Sequence, residues 1–345
     1  MKEIIETLKY FERKKSFNFS LKEINFLLTL NKRIFNKIDK KLNEEFEYGF
    51  NLHGKDHIKR VFLIAKNIIK VLKLKNINFK TLAISLLYHD LGNLIERKNH
   101  HFYSREILKI FLKNFSSLEQ EKILISVYMH EINGLKELFQ IKLLDDFYKN
   151  GKLTSASFIN FYRSFKRSLK FLPPEAKILF VADNLDLGPH RLPIKKFRQK
   201  DFWLTEKDVH VFINTLWRFE KIEKINGKVC LKFIFNPYLE KKKIKNKEIY
   251  NLVTKGKRVY FPQKFYEIYK FHHISFFDIS LGILFNLYQE LLYLFLFLSD
   301  LSKEDFILNL KDETNIVEKN IYLSQLNLPQ SIYKGIILPF RLHKK

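Results

Sequence analysis

Shortages narrow the class of this chain before any motif does. Its 345 residues hold one cysteine, Cys230. No disulfide framework and no cysteine-based zinc site can form within it, which suits a reducing, cytoplasmic location. Glycine and proline number only 10 and 8. There is no glycine-rich phosphate loop, no internal repeat and no nucleic-acid-binding motif. Long apolar runs are missing too. The most apolar stretch, 276–298, is interrupted by Asp278, Asn286, Gln289 and Glu290. Its continuous part, Leu291 to Leu298, is far short of the roughly 20 residues a spanning helix needs. It reads as a buried or partner-facing helix, the latter implying a homo-oligomer. Met1 to Lys15 mixes acids and bases around no apolar segment, so it is not read as a signal peptide.

Acidic residues are the remaining shortage. Against 62 Lys and Arg stand 37 Asp and Glu, a formal net charge of +25. Such a balance favours phosphates, nucleic acid or anionic surfaces as partners. A generic lysine-rich surface gives the same number.

What is present is a series of amphipathic helices. Residues 1–50 carry Ile4, Leu8 and Phe11 at helical spacing, and Ser20 with Glu23 in a capping-box arrangement. They are expected to form N-terminal helices packed on a core. Ile58, Val61, Phe62, Ala65, Ile68, Ile69 and Leu72 line one face of the next helix. Leu82 to Tyr88 is an apolar helical run. A further helix after Asn99 places Ile107, Leu108 and Phe111 together. Residues 119–135 are expected to be one helix, with Ile123, Val127 and His130 on its apolar face. Pro173-Pro174 opens another helix, which Gly188-Pro189 stops. Asn226-Gly227 between alternating apolar residues predicts a β-hairpin. Residues 270–345 read as helical.

Within this frame a few polar residues stand in costly places. His89-Asp90 ends the apolar helix, where an imidazole beside a carboxylate needs a partner; a divalent cation would serve as one. His57 opens a helix, His101 begins another, and Asp183 lies in an apolar segment. His130, on an apolar face, reads first as a core histidine. Taken singly, each fits an ordinary packed or solvated side chain.

Their order carries more. Asp56-His57-Ile58-Lys59-Arg60-Val61, His89-Asp90-Leu91-Gly92, His100-His101-Phe102-Tyr103-Ser104, His130-Glu131 and Val181-Ala182-Asp183-Asn184-Leu185-Asp186 together resemble the HD-domain phosphohydrolase superfamily, over roughly residues 50–190. The resemblance implies a mainly α protein. Residues 1–50 would be packing helices and 51–190 an HD-domain helical bundle. Residues 191–345 would be a C-terminal α+β extension, basic and aromatic, containing the β-hairpin and the apolar helix near 276–298.

By motif match the resemblance implies that His57, His89, Asp90 and Asp183 ligate a metal. His101 and His130 match the extra histidines of dinuclear members. The cofactor would be one or two divalent transition ions, Mn, Fe, Co, Ni or Zn, with Mg allowed at a second position. Asp90 would also orient the attacking water. Arg97 and Lys98 would meet developing phosphoryl charge, Arg60 and His100 would contact substrate phosphate, and Asp186 and Glu131 would support the ligands or move protons. In the dinuclear phosphodiesterase branch a Lys follows the Gly of the His-Asp motif. Asn93 stands there instead, against a cyclic-dinucleotide substrate.

The implied activity is metal-dependent hydrolysis of a phosphomonoester or phosphodiester, with a nucleotide as the expected small-molecule partner. The alternative is a nucleotide- or RNA-binding regulator that uses the same domain as a sensor. It draws on eleven Lys or Arg against three Glu between Lys232 and Lys270, interleaved with aromatics.

Overall fold

A computed structural model of the chain describes residues 54–139, 163–191, 217–235, 290–302, 306–312 and 318–322, with isolated positions elsewhere. The expectation for residues 1–50 and most of the basic stretch after Lys232 lie outside the described residues. The chain divides into two compact units. One comprises Met1–Leu42, His53–Asp186 and Tyr293–Glu304; the other comprises the rest.

The first unit is helical. Helix α1 (Lys55–Leu72) buries all seven residues of its expected apolar face. It ends at Lys73, whose left-handed backbone (φ 52°) lets its N–H bond back to the last turn. Helix α2 (Phe79–Tyr88) is capped by Asn78, whose side chain accepts from the Thr81 N–H. It is buried on every side except at Lys80, the mark of a central helix. Helices α3 (His100–Phe111) and α4 (Ser117–Tyr128) follow, the latter started by a reciprocal Ser116–Glu119 capping box. Helix α5 (Ile132–Phe139) is short. Helix α6 (Pro174–Asn184) has proline at its first position and packs on α1, α2 and α4.

Helix α7 (Glu290–Ser302) takes in the C-terminal part of the apolar stretch; residues 276–289 lie outside the described residues. Its Phe297 stacks on Phe180 at 4.4 Å, Tyr293 packs on Phe165 at 5.1 Å, and Lys177 reaches Asp300 at 2.5 Å. Leu294, Leu296, Phe297 and Leu298 are buried. Over its described residues the stretch is buried within the chain. No described helix is long and apolar enough to cross a membrane.

Two helical expectations are corrected. The segment 119–135 is not one helix: α4 stops at Tyr128, and Met129 to Glu131 turn before α5. The turn brings Gly134 against the carbonyl of Tyr128, where an added Cβ would lie 1.9 Å away. Apolar periodicity continued through a corner that only glycine's missing side chain permits. In α3 the buried face is His100, His101, Ser104 and Leu108, while Phe111 is exposed. Polar residues take the inward positions because the site lies there.

The second unit contains a four-stranded sheet, β1 (Trp217–Ile225), β2 (Lys228–Phe235), β3 (Phe306–Asp312) and β4 (Glu318–Tyr322), in that spatial order. β1 and β2 are the expected hairpin. Asn226 and Gly227 both have positive φ, 50° and 79°, the twist a two-residue turn needs. Val229, Leu231 and Phe233 are buried and Lys232 and Ile234 only partly so, matching the expected alternation. Residues 306–312 and 318–322 are strands, not helices. β3 pairs in parallel with β2 and antiparallel with β4. Its alternation of Leu308 and Leu310 with Asn309 and Lys311 is a strand pattern, but only over seven residues.

Replacing Phe297 by Ala removes a stacked, buried ring from α7 and is expected to cost about 3–5 kcal/mol. Phe171→Ala, at a position 79% exposed, is expected to stay within about 0.5 kcal/mol. Urea denaturation of the two variants separates these outcomes. Equal midpoints would mean that α7 is not part of this core.

A candidate metal centre

The inner part of the site forms where three helix ends meet. His57 lies in the first turn of α1, His89 and Asp90 follow α2, and Asp183 closes α6. His57 Nε2 is 3.3 Å from His89 Nε2, 3.5 Å from Asp90 Oδ2 and 3.1 Å from Asp183 Oδ1. His89 Nε2 is 3.4 Å from Asp90 Oδ2 and 3.7 Å from Asp183 Oδ1. Ligand atoms around one ion at about 2.1 Å lie roughly 3.0–3.5 Å apart. These four side chains approximate such a shell.

The other oxygen of Asp90 faces a second group. His100 Nε2 is 3.2 Å and His130 Nε2 3.7 Å from Asp90 Oδ1, and the two nitrogens are 2.9 Å apart. Glu131 Oε1 lies 3.3 Å from His100 Nε2.

Hydrogen bonds set which nitrogen faces inward. Nδ1 of His89 donates to the Leu86 carbonyl (3.2 Å), Nδ1 of His130 to the Val127 carbonyl (2.5 Å) and Nδ1 of His100 to the Arg97 carbonyl (2.8 Å). Two of these carbonyls belong to helix C-termini, where the last C=O groups lack helical partners. His57 Nδ1 donates to Asp186 Oδ2 at 2.6 Å, and the Arg60 guanidinium clamps the same carboxylate at 2.7 and 3.1 Å. With each Nδ1 committed as donor, each Nε2 presents a lone pair to the centre. Lone pairs facing each other across 2.9–3.3 Å repel unless a cation or proton lies among them. This donor set therefore fits a divalent metal, and its mixture of imidazole and carboxylate suits a first-row transition ion.

Electrostatics follow the same lines. Burial alone would push the Asp183 carboxyl up, but hydrogen bonds to His57 and His89 hold it well below the usual range. Burial works likewise on Glu131, and His100, His101, Arg97 and His130 outweigh it, keeping it ionised. His89 would be driven down by burial, yet Asp90 and Asp183 raise it. His130 stays lowered, by burial first, with His100 and His89 adding to it.

Glycine at 92 is a steric requirement. A Cβ there would lie 2.0 Å from the His100 carbonyl oxygen, and the Gly92 N–H donates to Ser104 Oγ at 2.7 Å. This close approach sets α3 against the turn after Asp90 and so sets His100 against Asp90.

The other expected residues fall as follows. His101 is buried, but its Nδ1 faces Glu131 Oε2 at 3.5 Å, beyond the Asp90 group. His100, expected as a phosphate contact, stands instead in the ring of nitrogens around Asp90. Arg97 NH1 lies 3.2 Å from both Asn93 Oδ1 and His100 Nε2. Lys98 is exposed, with no ion pair to the cluster among the described residues. Arg60 is committed to Asp186. Asp186 is 1% exposed, whereas Asp183 is 16% exposed. The i, i+3 spacing of His57 and Arg60 is the sequence signal that both reach one partner. Asp186 lies 126 residues beyond Arg60, which no local pattern reveals.

Residues 54–188 match the family model described as the HD domain. No curated protein and no solved structure matches the chain.

Replacing Asp186 with Asn removes the charge that orients His57, and metal affinity should fall about 10–100-fold. Competition against a fluorescent chelator measures it, and an unchanged Kd would refute the orienting role. Gly92→Ala should part His100 from Asp90. The expected result is fewer bound ions per chain by elemental analysis, with the His57 group still loaded.

Proposed function

We propose that this chain, whose residues 54–188 match the HD-domain family model, hydrolyses a phosphate ester of a nucleotide with one or two divalent transition ions. The observation that carries the reading is the buried convergence of His57 Nε2, His89 Nε2, Asp90 Oδ2 and Asp183 Oδ1, with both histidine Nδ1 atoms bonded away from the centre.

His57, His89, Asp90 and Asp183 would hold one ion, and Asp90, His100, His130 and Glu131 a second. His100 takes the place that the sequence pattern assigned to His101. Bound there, such ions supply a water acidified toward neutral pH and a Lewis acid for a phosphoryl oxygen. The chain's own groups do the rest. Asp186 and Arg60 keep His57 in the ligating tautomer. Arg97, beside His100 and half-buried, meets the charge that develops on the phosphoryl group. Glu131, 28% exposed and held ionised, keeps a carboxylate beside His100 and His101. Asn93 cannot supply the cation that a Lys would give at its position, so recognition of phosphate falls mainly on Arg97 and the ions. Lys98, exposed, adds only a screened field.

The test is purified protein loaded with Mn, assayed on chromogenic phosphate esters and a nucleotide panel beside His89→Ala. Turnover in the parent and a loss of at least about 1,000-fold in the variant are expected, because removing a ligand removes the ion that acts on the reacting phosphate. Absence of turnover with every metal tried, together with no bound metal, refutes the proposal.

A further inference from the structure

We propose a third, weaker divalent-cation position, made by His101 Nδ1 and Glu131 Oε2 at the rim of the centre. The inference rests on the reading of the site given above and extends it outward.

His101 is turned differently from the other four histidines. They bond Nδ1 away from the centre and offer Nε2. His101 offers Nδ1, which is buried and has no hydrogen-bond partner. An unsatisfied buried polar atom of this kind is destabilising. Its ring is held from behind: it packs on Tyr128 at 5.2 Å, and Tyr128 is pinned by Arg105 at 4.3 Å and by a hydrogen bond to Glu137. The nitrogen is thus fixed facing Glu131.

The separation of His101 Nδ1 from Glu131 Oε2, 3.5 Å, lies outside hydrogen-bond range for a ring N–H. It falls within the spacing of two ligands on one ion, about 3.0–3.5 Å. Glu131 divides its oxygens as Asp90 does: Oε1 faces His100 at 3.3 Å and Oε2 faces His101. Asp90 spans the first and second positions, and Glu131 spans the second and third.

With two protein ligands against four, the third position binds more weakly. Its remaining ligands come from water and from phosphoryl oxygens of the substrate, since Glu131 is the partly exposed member. A nitrogen–oxygen pair of this kind takes Mn²⁺ better than Mg²⁺, which prefers oxygen alone.

The experiment is equilibrium dialysis of the full chain against stepped free Mn²⁺, with ions per chain counted by elemental analysis. The parent should bind two ions tightly and a third only at higher free Mn²⁺. His101→Ala should lose the third ion alone, while His100→Ala loses one of the tight pair. His101→Asn, closer in size, should also lose the third ion, and thermal melts of both His101 variants confirm that they are folded. Saturation of the parent at two ions, or a third ion retained in both folded His101 variants, overturns this inference and leaves the two-ion centre intact. No ion bound by the parent, or the same content in His89→Ala as in the parent, overturns the proposed function and this inference together.

Discussion

Everything around the centre depends on one electrostatic constraint. Imidazoles and carboxylates have been taken out of water at the meeting point of several helices, and each must be compensated there. The bonds from Nδ1 to the Leu86, Val127 and Arg97 carbonyls and to Asp186 answer half of the requirement. They satisfy one side of each ring and turn the other side inward. The inward atoms then share a single environment, and the charge state of each is set by the rest. That coupling explains why His89 is raised while His130, on the far side of Asp90, is lowered.

The scaffold serves that constraint. α2 is buried almost all round, so its C-terminal carbonyls are out of reach of water, and His89 bonds back to one of them. α6 packs on α1, α2 and α4, bringing Asp183 and Asp186 to His57 from more than 120 residues away. α7, behind α6, backs Phe180 with Phe297. Gly92 and Gly134 act at corners where backbone meets backbone, and both corners carry site residues. A side chain at either position would move a histidine before it disturbed the core.

Local regularities in the sequence were readable and long-range pairings were not. The apolar face of α1, the extent of α6 and the Asn226-Gly227 hairpin follow from periodicity and turn chemistry, because neighbours a few residues apart decide them. The polar positions that gather were also readable, from the cost of placing His89, Asp90 and Asp183 among apolar residues. Motif order alone did not separate His100 from His101: adjacent residues in the first turn of a helix point about 100° apart, and packing of α3 on Gly92 decides which meets Asp90. Nor did it show that Asp186 is buried and Asp183 partly open, since both lie near the end of α6 and the burial of Asp186 comes with its pairing to His57 and Arg60 in α1. The break at Met129 was hidden for a similar reason. Its cause is a close backbone contact at Gly134, and apolar spacing continues through it.

The uneven exposure of the four inner ligands has a kinetic consequence. His57, His89 and Asp90 are sealed, and Asp183 alone of the four is partly open to solvent. An ion seated among them exchanges with bulk water past one carboxylate, and that carboxylate is held ionised by the same histidines. Among the described residues, Asp183 is thus the member of the four that solvent reaches most readily, so a metal held there would be expected to exchange on its side.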